Sequence, residues 1–140
     1  MLLNGKVGMV TGAGTGLGQA AALAMAREGA ALVLGDKEIS AVESTAGKIR
    51  EAGGRATALM ANVTDEEAVQ EMVAQATEVY GRLDFAYNNA GVESPACAVE
   101  NNDLALVRAS FDVNLFGTLS CMKFEIPALR ESGGGAIVNA

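Results

Sequence analysis

Three glycines, Gly12, Gly16 and Gly18, follow a short apolar run at residues 7–11, in the spacing G-x-x-x-G-x-G. Such a turn needs residues without a Cβ where the chain bends, where a phosphate approaches and where a helix packs on the strand. Residues 17–28 then repeat apolar side chains at helical spacing, so the free N–H groups of a helix start would face the turn. The segment therefore predicts a pyrophosphate-binding turn, although glycine-rich turns also occur without a ligand.

Asp36 is the second residue that could do chemistry, because it follows a predicted strand at residues 31–34. It lies about 20 residues after the glycine turn, where a carboxylate accepts hydrogen bonds from ribose hydroxyls and repels a 2′-phosphate. This position favours NAD(H) over NADP(H). Two alternatives stay open: Asp36 could instead cap the loop before the next helix, and the neighbouring Lys37 could pair with a 2′-phosphate.

Short apolar runs and longer helical patterns alternate along the chain and define the elements that must position these residues. Strands are predicted at residues 7–11, 31–34, 56–61, 83–87 and 136–138, and helices at residues 17–28, 40–52, 65–80 and 103–130. Alternating strand and helix units need right-handed crossovers, and hence a parallel sheet with helices on both faces. The predicted fold class is α/β, a doubly wound parallel sheet.

The ends of the predicted helices carry recognisable signals. Thr64 and Glu67 form a capping-box pattern at the start of the third helix, in which each side chain would accept from the other's backbone N–H. Gly53 and Gly81 stand where a left-handed glycine ends a helix. Pro127 is expected to weaken the last turn of the fourth helix.

Composition excludes several classes of function. A chain of 140 residues, half of them apolar, can bury one ordinary domain core, and its net charge of −7 opposes binding to nucleic acid or anionic membranes. The start of the chain has no leader pattern and no apolar run is long enough for a membrane span, so a cytoplasmic location is expected. With two cysteines and no histidine, neither a disulfide framework nor a zinc site is expected.

Three further motifs give the chain a family resemblance. Thr11-Gly12 with Gly16 and Gly18, then Asn88-Asn89-Ala90-Gly91, then Asn114 occur in the order and on the elements typical of the short-chain dehydrogenase/reductase family, which the chain resembles. The resemblance implies a Rossmann-type fold whose first turn binds the cofactor, with Thr15 and Leu17 beside the glycines. It also implies that Asn89, Ala90 and Gly91 line the cofactor cleft, while Asn88-Asn89 stabilises the sheet.

The same resemblance gives roles to Asn114, Asn62 and two valines. Asn114 would kink the long helix and free its carbonyl to hold a water in a proton relay; apart from the motif it would be an ordinary solvated residue. Asn62-Val63 replaces the commoner Asp-Val, and the amide oxygen of Asn62 can still accept from the adenine amino group, though a neutral acceptor is weaker. Val113, Ala90 and Gly91 would contact adenine and ribose, or else serve in core packing.

The resemblance covers the whole chain but only about the first half of the family pattern. Residues 135–140 resemble the strand that leads into the catalytic serine, and neither Tyr80 nor Tyr87 is followed by a lysine four positions later, as a Tyr-x-x-x-Lys motif requires. We therefore expect residues 1–140 to be one dinucleotide-binding domain, incomplete at its C-terminal end and inactive alone. The complete enzyme would transfer hydride between a nicotinamide ring and an alcohol or ketone.

Two other classes of function stay open at this point. The chain could be a catalytically inactive dinucleotide-binding protein, or an assembly module that forms homodimers or homotetramers through the helix after Asp103. The apolar residues of that helix, which include Leu104, Val107, Leu115, Leu119 and Met122, could equally serve the core alone.

Overall fold

The computed structural model describes residues 1–140, which form five strands and five α-helices. The strands are β1 (Val7–Thr11), β2 (Ala31–Asp36), β3 (Arg55–Met60), β4 (Phe85–Asn88) and β5 (Ala136–Asn139). The α-helices are α1 (Gly16–Arg27), α2 (Ile39–Glu51), α3 (Glu66–Tyr80), α4 (Leu104–Phe111) and α5 (Thr118–Glu131). A 3₁₀ turn (Val99–Asn101) precedes α4, and a π-helical segment (Asp112–Gly117) joins α4 to α5. We call α4, the π segment and α5 together the outer helix.

All five strands are parallel and lie in one sheet in the order β3-β2-β1-β4-β5. This confirms the predicted doubly wound α/β class. The chain builds outward from β1 in one direction and then returns to its other side at β4, where Thr11 pairs with Asn88. In sheets of this type, ligands bind beside the carboxyl ends of the strands at that reversal.

The central strands are buried on both faces, which explains why they read as continuous apolar runs. Val7 and Met9 of β1 pack with residues of α3 and α5 on one face of the sheet, and Val10 packs with residues of α1 and α2 on the other. Every residue of β1 is buried. The glycine turn after Thr11 therefore starts from a strand that is fixed on both sides.

The start of α3 differs from the prediction. Asp65, and not Thr64, caps the helix, and its carboxylate accepts a hydrogen bond from the backbone N–H of Glu67 at 3.0 Å. The backbone N–H of Thr64 donates to Oδ1 of Asn62 at 3.1 Å, so Thr64 belongs to a turn before the helix. The capping-box prediction was wrong because the Asn62 turn delays the helix, and a carboxylate then meets its positive end.

The long helix predicted from Asp103 to Arg130 is not continuous. Asn114 lies inside the π segment, which is the irregularity expected there, and Pro127 lies within α5, which continues to Glu131. Leu104, Leu115 and Leu119 are exposed, so the interpretation of these apolar residues as core alone was wrong for those three. Val107 and Met122 are half-buried.

Three further properties concern the whole chain. None of its helices is both long and apolar enough to cross a membrane. No group of three or more His, Cys, Asp or Glu side chains is arranged to hold a metal ion. Both cysteines are free thiols; Cys97 is exposed and Cys121 is buried.

Candidate cofactor-binding site

A cleft of about 510 Å³ opens beside the carboxyl ends of the central strands. All the predicted cofactor-binding residues except Gly18 line it, together with Ala61 and Val92, which the sequence analysis did not single out. The lining residues are Gly12, Thr15, Gly16, Leu17, Asp36, Lys37, Ala61, Asn62, Val63, Asn89, Ala90, Gly91, Val92 and Val113. Residues from five separate stretches of the chain thus meet at one place.

The glycine turn is held in a conformation that other residues rarely adopt. Gly12 and Gly16 have φ angles of +62° and +56°, in the left-handed region. Gly18 lies behind the turn, where an added Cβ would be 2.1 Å from the carbonyl oxygen of Gly12 and 2.5 Å from Nδ2 of Asn89. Gly18 therefore supports the cleft through close packing and does not line it.

Asn89 and Thr11 lock the ends of β4 and β1 together. Oγ1 of Thr11 accepts hydrogen bonds from the backbone N–H groups of Asn89 and Ala90, each at 3.1 Å. The amide of Asn89 donates to the carbonyl oxygens of Thr11 at 3.3 Å and of Gly12 at 3.1 Å. The N-N-A-G stretch thus fixes the position of the glycine turn.

The first turn of α1 is left open toward the cleft. Its N-cap residue, Thr15, makes no side-chain capping bond, and the turn contains no acidic residue. In α3, by contrast, Asp65 caps the helix and the first turn carries Glu66 and Glu67. The N–H groups at the start of α1 can therefore bind an anionic group, which the positive end of the helix dipole also attracts.

Asp36 lines the cleft and also organises the loop after β2. Its Oδ2 accepts from the backbone N–H of Gly14 at 2.9 Å, and its Oδ1 accepts from the backbone N–H of Glu38 at 3.0 Å. The carboxylate thus holds the loop, as the capping alternative expected, although Glu38 and not Asp36 is the N-cap residue of α2. This role does not exclude a ligand, since a carboxylate has about four acceptor positions. Lys37 lines the cleft beside it and is exposed.

The predicted adenine side of the cleft combines one polar and several apolar residues. Asn62 is exposed, and its side-chain oxygen already accepts one hydrogen bond, from Thr64. Val63 is buried with Val69 and Cys121, and Ala90 and Val113 pack against that group. Val63, Ala90 and Val113 thus line the cleft and also pack in this group, while their contact with adenine and ribose stays a prediction.

Asn114 joins the outer helix to the loop after β4. Its side-chain amide donates to the carbonyl oxygen of Val92 and accepts from the backbone N–H of Val92, both at 2.8 Å. Its main-chain carbonyl oxygen accepts from the Thr118 hydroxyl at 3.0 Å, which uses one of its two lone pairs. The double contact with Val92 was not predicted.

A buried acid next to the site was missed by the sequence analysis. Glu125 of α5 is fully buried, and its Oε2 accepts from Nδ2 of Asn88 at 3.0 Å; the same amide donates to Oδ1 of Asn139. Burial raises the pKa of Glu125 to about 7, against the opposing effect of the Asn88 hydrogen bond. Burial, and secondarily the charge of Glu125, raises the pKa of Cys121 to about 12. The only sequence signal was the helical spacing of Glu125 with Cys121 and Leu129.

Comparison with known proteins identifies the family. The chain matches the short chain dehydrogenase family over residues 6–140. It belongs to this family.

Individual relatives show the same likeness at the level of sequence and structure. The chain is 37% identical over 136 residues to cyclohexanol dehydrogenase of Acinetobacter sp. (strain SE19), covering 97% of this chain and 54% of that protein. It is 37% identical over 134 residues to cis-4-hydroxycyclohexanecarboxylate dehydrogenase of Sinomonas cyclohexanicum, covering 96% and 53%. The crystal structure of NAD⁺-bound xylitol dehydrogenase superimposes with a TM-score of 0.95 at 34% identity, covering 99% of this chain and 54% of that one. The chain thus spans about half the length of these relatives.

Proposed function

We propose that residues 1–140 form the cofactor-binding part of an oxidoreductase that transfers hydride between a nicotinamide cofactor and an alcohol or ketone. The observation that carries this proposal is the interlock of the Thr11-Gly12 turn with Asn89, beside a helix start that has no capping side chain. Hydride transfer is chemistry that the bound nicotinamide supplies. The residues of this chain bind and orient the cofactor.

The residues present fit a dinucleotide. A phosphate can approach Gly12 and Gly16 closely because neither has a Cβ, and the start of α1 offers N–H donors. Ala90, Gly91 and Val113 provide apolar and backbone surface for a nucleoside, and Asn62 provides an acceptor for an amino group. We assign these roles from the family resemblance, and the residues that carry them line the cleft.

We further propose that NAD(H) binds in preference to NADP(H). A negatively charged carboxylate at Asp36 would accept from the ribose hydroxyls and repel a 2′-phosphate. Lys37 opposes this preference, but its ammonium group is exposed and so is screened by water. The related xylitol dehydrogenase was crystallised with NAD⁺ bound, which is consistent with the proposal.

Asp36→Ala tests the cofactor assignment. We expect the affinity for NADH, measured by fluorescence titration of the purified protein, to fall about tenfold, a loss of about 1.4 kcal/mol. The affinity for NADPH should fall less, so that the preference for NADH over NADPH becomes smaller. Glu78→Ala, which removes an exposed carboxylate of α3 away from the cleft, is the matched control and should leave both affinities unchanged. An unchanged NADH to NADPH ratio in Asp36→Ala would exclude the ribose role.

Catalysis requires groups that these residues do not supply. We infer that residues 1–140 alone bind cofactor without oxidising an alcohol, because neither tyrosine has a lysine four positions later. Asn114 is the one residue here to which we assign a part in catalysis, through a water held at its carbonyl. Two relatives are named for ring alcohols, so cyclohexanol is the first substrate to assay with the full natural protein.

A second proposal concerns assembly. The outer helix exposes a set of large apolar side chains, and such patches commonly mark interfaces between proteins. These are Leu104, Leu106, Phe111, Leu115, Phe116, Leu119 and Ile126. We propose that this surface forms a homodimer or homotetramer, a function compatible with either an active enzyme or an inactive binding protein.

The free thiols of both cysteines fit the further proposal of a cytoplasmic location.

A further inference from the structure

Gly14 occupies a position in the glycine turn that the G-x-x-x-G-x-G pattern leaves unspecified. It does not line the cleft. Its φ angle is outside the left-handed region, so its backbone conformation is open to other residues. A residue with a side chain could therefore occupy this position as far as the backbone is concerned. The reason for a glycine must lie in what surrounds it.

Asp36 and Ala41 leave no room for a side chain at position 14. A Cβ added to Gly14 would be 2.8 Å from Oδ2 of Asp36, 3.0 Å from its Cγ and 2.8 Å from Cβ of Ala41. These distances are below van der Waals contact. Because the end of a carboxylate moves more readily than a helix, the Asp36 side chain would be displaced first.

The backbone N–H of Gly14 also holds the carboxylate directly. It donates to Oδ2 of Asp36 at 2.9 Å, while the N–H of Glu38 donates to Oδ1 from the other side. With one donor on each oxygen, the plane of the carboxylate is fixed. Gly14 thus determines where Asp36 presents its remaining acceptor positions.

The peptide that carries Gly14 is itself held from behind. The side-chain amide of Gln19 donates to the carbonyl oxygen of Gly14 at 3.1 Å and to Oγ1 of Thr45 at 2.9 Å. Oγ1 of Thr45, which is buried, donates to the carbonyl oxygen of Ala13 at 3.0 Å. These bonds anchor the loop before α1 to α2, so the Gly14 N–H keeps its direction without a bound cofactor.

We propose that Gly14 is a positioning residue that sets cofactor selectivity: it holds the Asp36 carboxylate where it accepts from a ribose 2′-hydroxyl and opposes a 2′-phosphate. This inference rests on the proposed role of Asp36. It predicts an effect on the NADH to NADPH affinity ratio in particular. A general distortion of the turn would weaken the binding of both cofactors alike, since both contain the pyrophosphate.

The test compares Gly14→Ala, Ala41→Gly and the double variant Gly14→Ala/Ala41→Gly, titrated with NADH and NADPH as purified proteins. Gly14→Ala should lower the NADH to NADPH affinity ratio about fivefold, chiefly by weakening the binding of NADH. The double variant removes the clash with α2 but keeps the clash with Asp36, so it should show the same loss and should fold even if Gly14→Ala does not. Ala41→Gly alone should keep the wild-type ratio.

Three results would overturn the inference. One is an unchanged ratio in both variants that carry Gly14→Ala, and another is a ratio restored by Ala41→Gly, which would assign the effect to α2. The third is a further loss of selectivity when Gly14→Ala is added to Asp36→Ala. If Gly14 acts only through Asp36, the effects of the two substitutions should not add. An unchanged ratio in Asp36→Ala itself would instead refute the proposed ribose role of Asp36, on which the inference rests.

Discussion

The two central strands and the outer helix carry similar apolar residues but bury them to very different extents. Every residue of β1, and every residue of β2 except Asp36, is buried. In contrast, α4 buries none of its residues, and Leu104, Phe111 and Phe116 are 63%, 56% and 59% exposed. An apolar pattern therefore reports burial only where another element lies against it.

This difference separates the parts of the site that are fixed from those that face solvent. Thr11, Gly12 and Asn89 sit at the ends of strands packed on both faces, where several hydrogen bonds join Thr11 to Asn89 and one more joins Asn89 to the carbonyl oxygen of Gly12. Asn114 and Val92, on the outer side of the cleft, are exposed and hold mainly each other. We infer that the side of the cleft formed by the glycine turn is the more rigid side.

The largest expected effect comes from removing a side chain from the buried strands. Leu32→Ala should lower the free energy of unfolding by about 2–5 kcal/mol, because Leu32 is 0% exposed and the variant leaves a cavity. In the monomer, at concentrations too low for assembly, Leu104→Ala should change it by less than about 0.5 kcal/mol. Urea unfolding measures both values. Equal losses at concentrations too low for assembly would show that α4 packs against another part of the same chain.

The same pair of variants tests the proposed assembly surface. Light scattering should give a lower solution mass for Leu104→Ala than for the wild type at equal concentration, if the exposed leucine lies in the interface. Leu32→Ala should keep the wild-type mass below its melting temperature. The opposite outcome, assembly that is insensitive to Leu104, would place the interface elsewhere.

The sequence predicted the buried part of the molecule well, for physical reasons. The strands β1 and β2 read as continuous apolar runs because both faces are covered, and Gly12 and Gly16 mark a turn that needs positive φ angles. Asp36 was located by its spacing from that turn. These signals are local, so a single sequence contains them.

The parts that were not predicted depend on contacts between distant residues. Gly14 gains its importance from Asp36 and Ala41, which lie on other elements, and Glu125 is buried because α5 lies against β4. Asp65 displaced Thr64 as the cap because Asn62 holds the N–H of Thr64. In each case neighbouring residues alone do not determine the outcome.

Glu125 lies in α5, the part of the outer helix that does resemble the buried strands, and its pKa makes that packing measurable. Its folded-state pKa of about 7 lies above the unfolded value of 4.5, so the folded state holds a proton that the unfolded state releases. The contribution of the protonated Glu125 to the free energy of unfolding is therefore complete below pH 4.5 and is lost as the pH rises to about 7. The loss is about 3 kcal/mol.

Glu125→Gln isolates this effect, because glutamine keeps the shape and the acceptor for Asn88 but does not ionise. The difference in unfolding free energy between Glu125→Gln and the wild type should grow between pH 5 and pH 7, with the variant the more stable at pH 8. Glu131→Gln changes an exposed glutamate at the end of the same helix and is the control. Its unfolding free energy should change with pH as that of the wild type does. Parallel curves for Glu125→Gln would mean that Glu125 is solvated.

The smallest expected effect compares two helix caps of the same type. Asp65 caps α3 and Asp103 caps α4, each by accepting from the N–H two residues later. Asp65→Ala should lower the free energy of global unfolding by about 1 kcal/mol, because α3 buries Val69 and Met72 and unfolds only with the sheet. In the monomer, Asp103→Ala should leave global stability unchanged and speed amide hydrogen exchange in α4 about fivefold, because a helix without buried residues opens locally. If Asp103→Ala instead lowered global stability as much as Asp65→Ala, the exposed face of α4 would have to be covered in solution, and the contrast between the buried strands and the outer helix would hold only for the isolated chain.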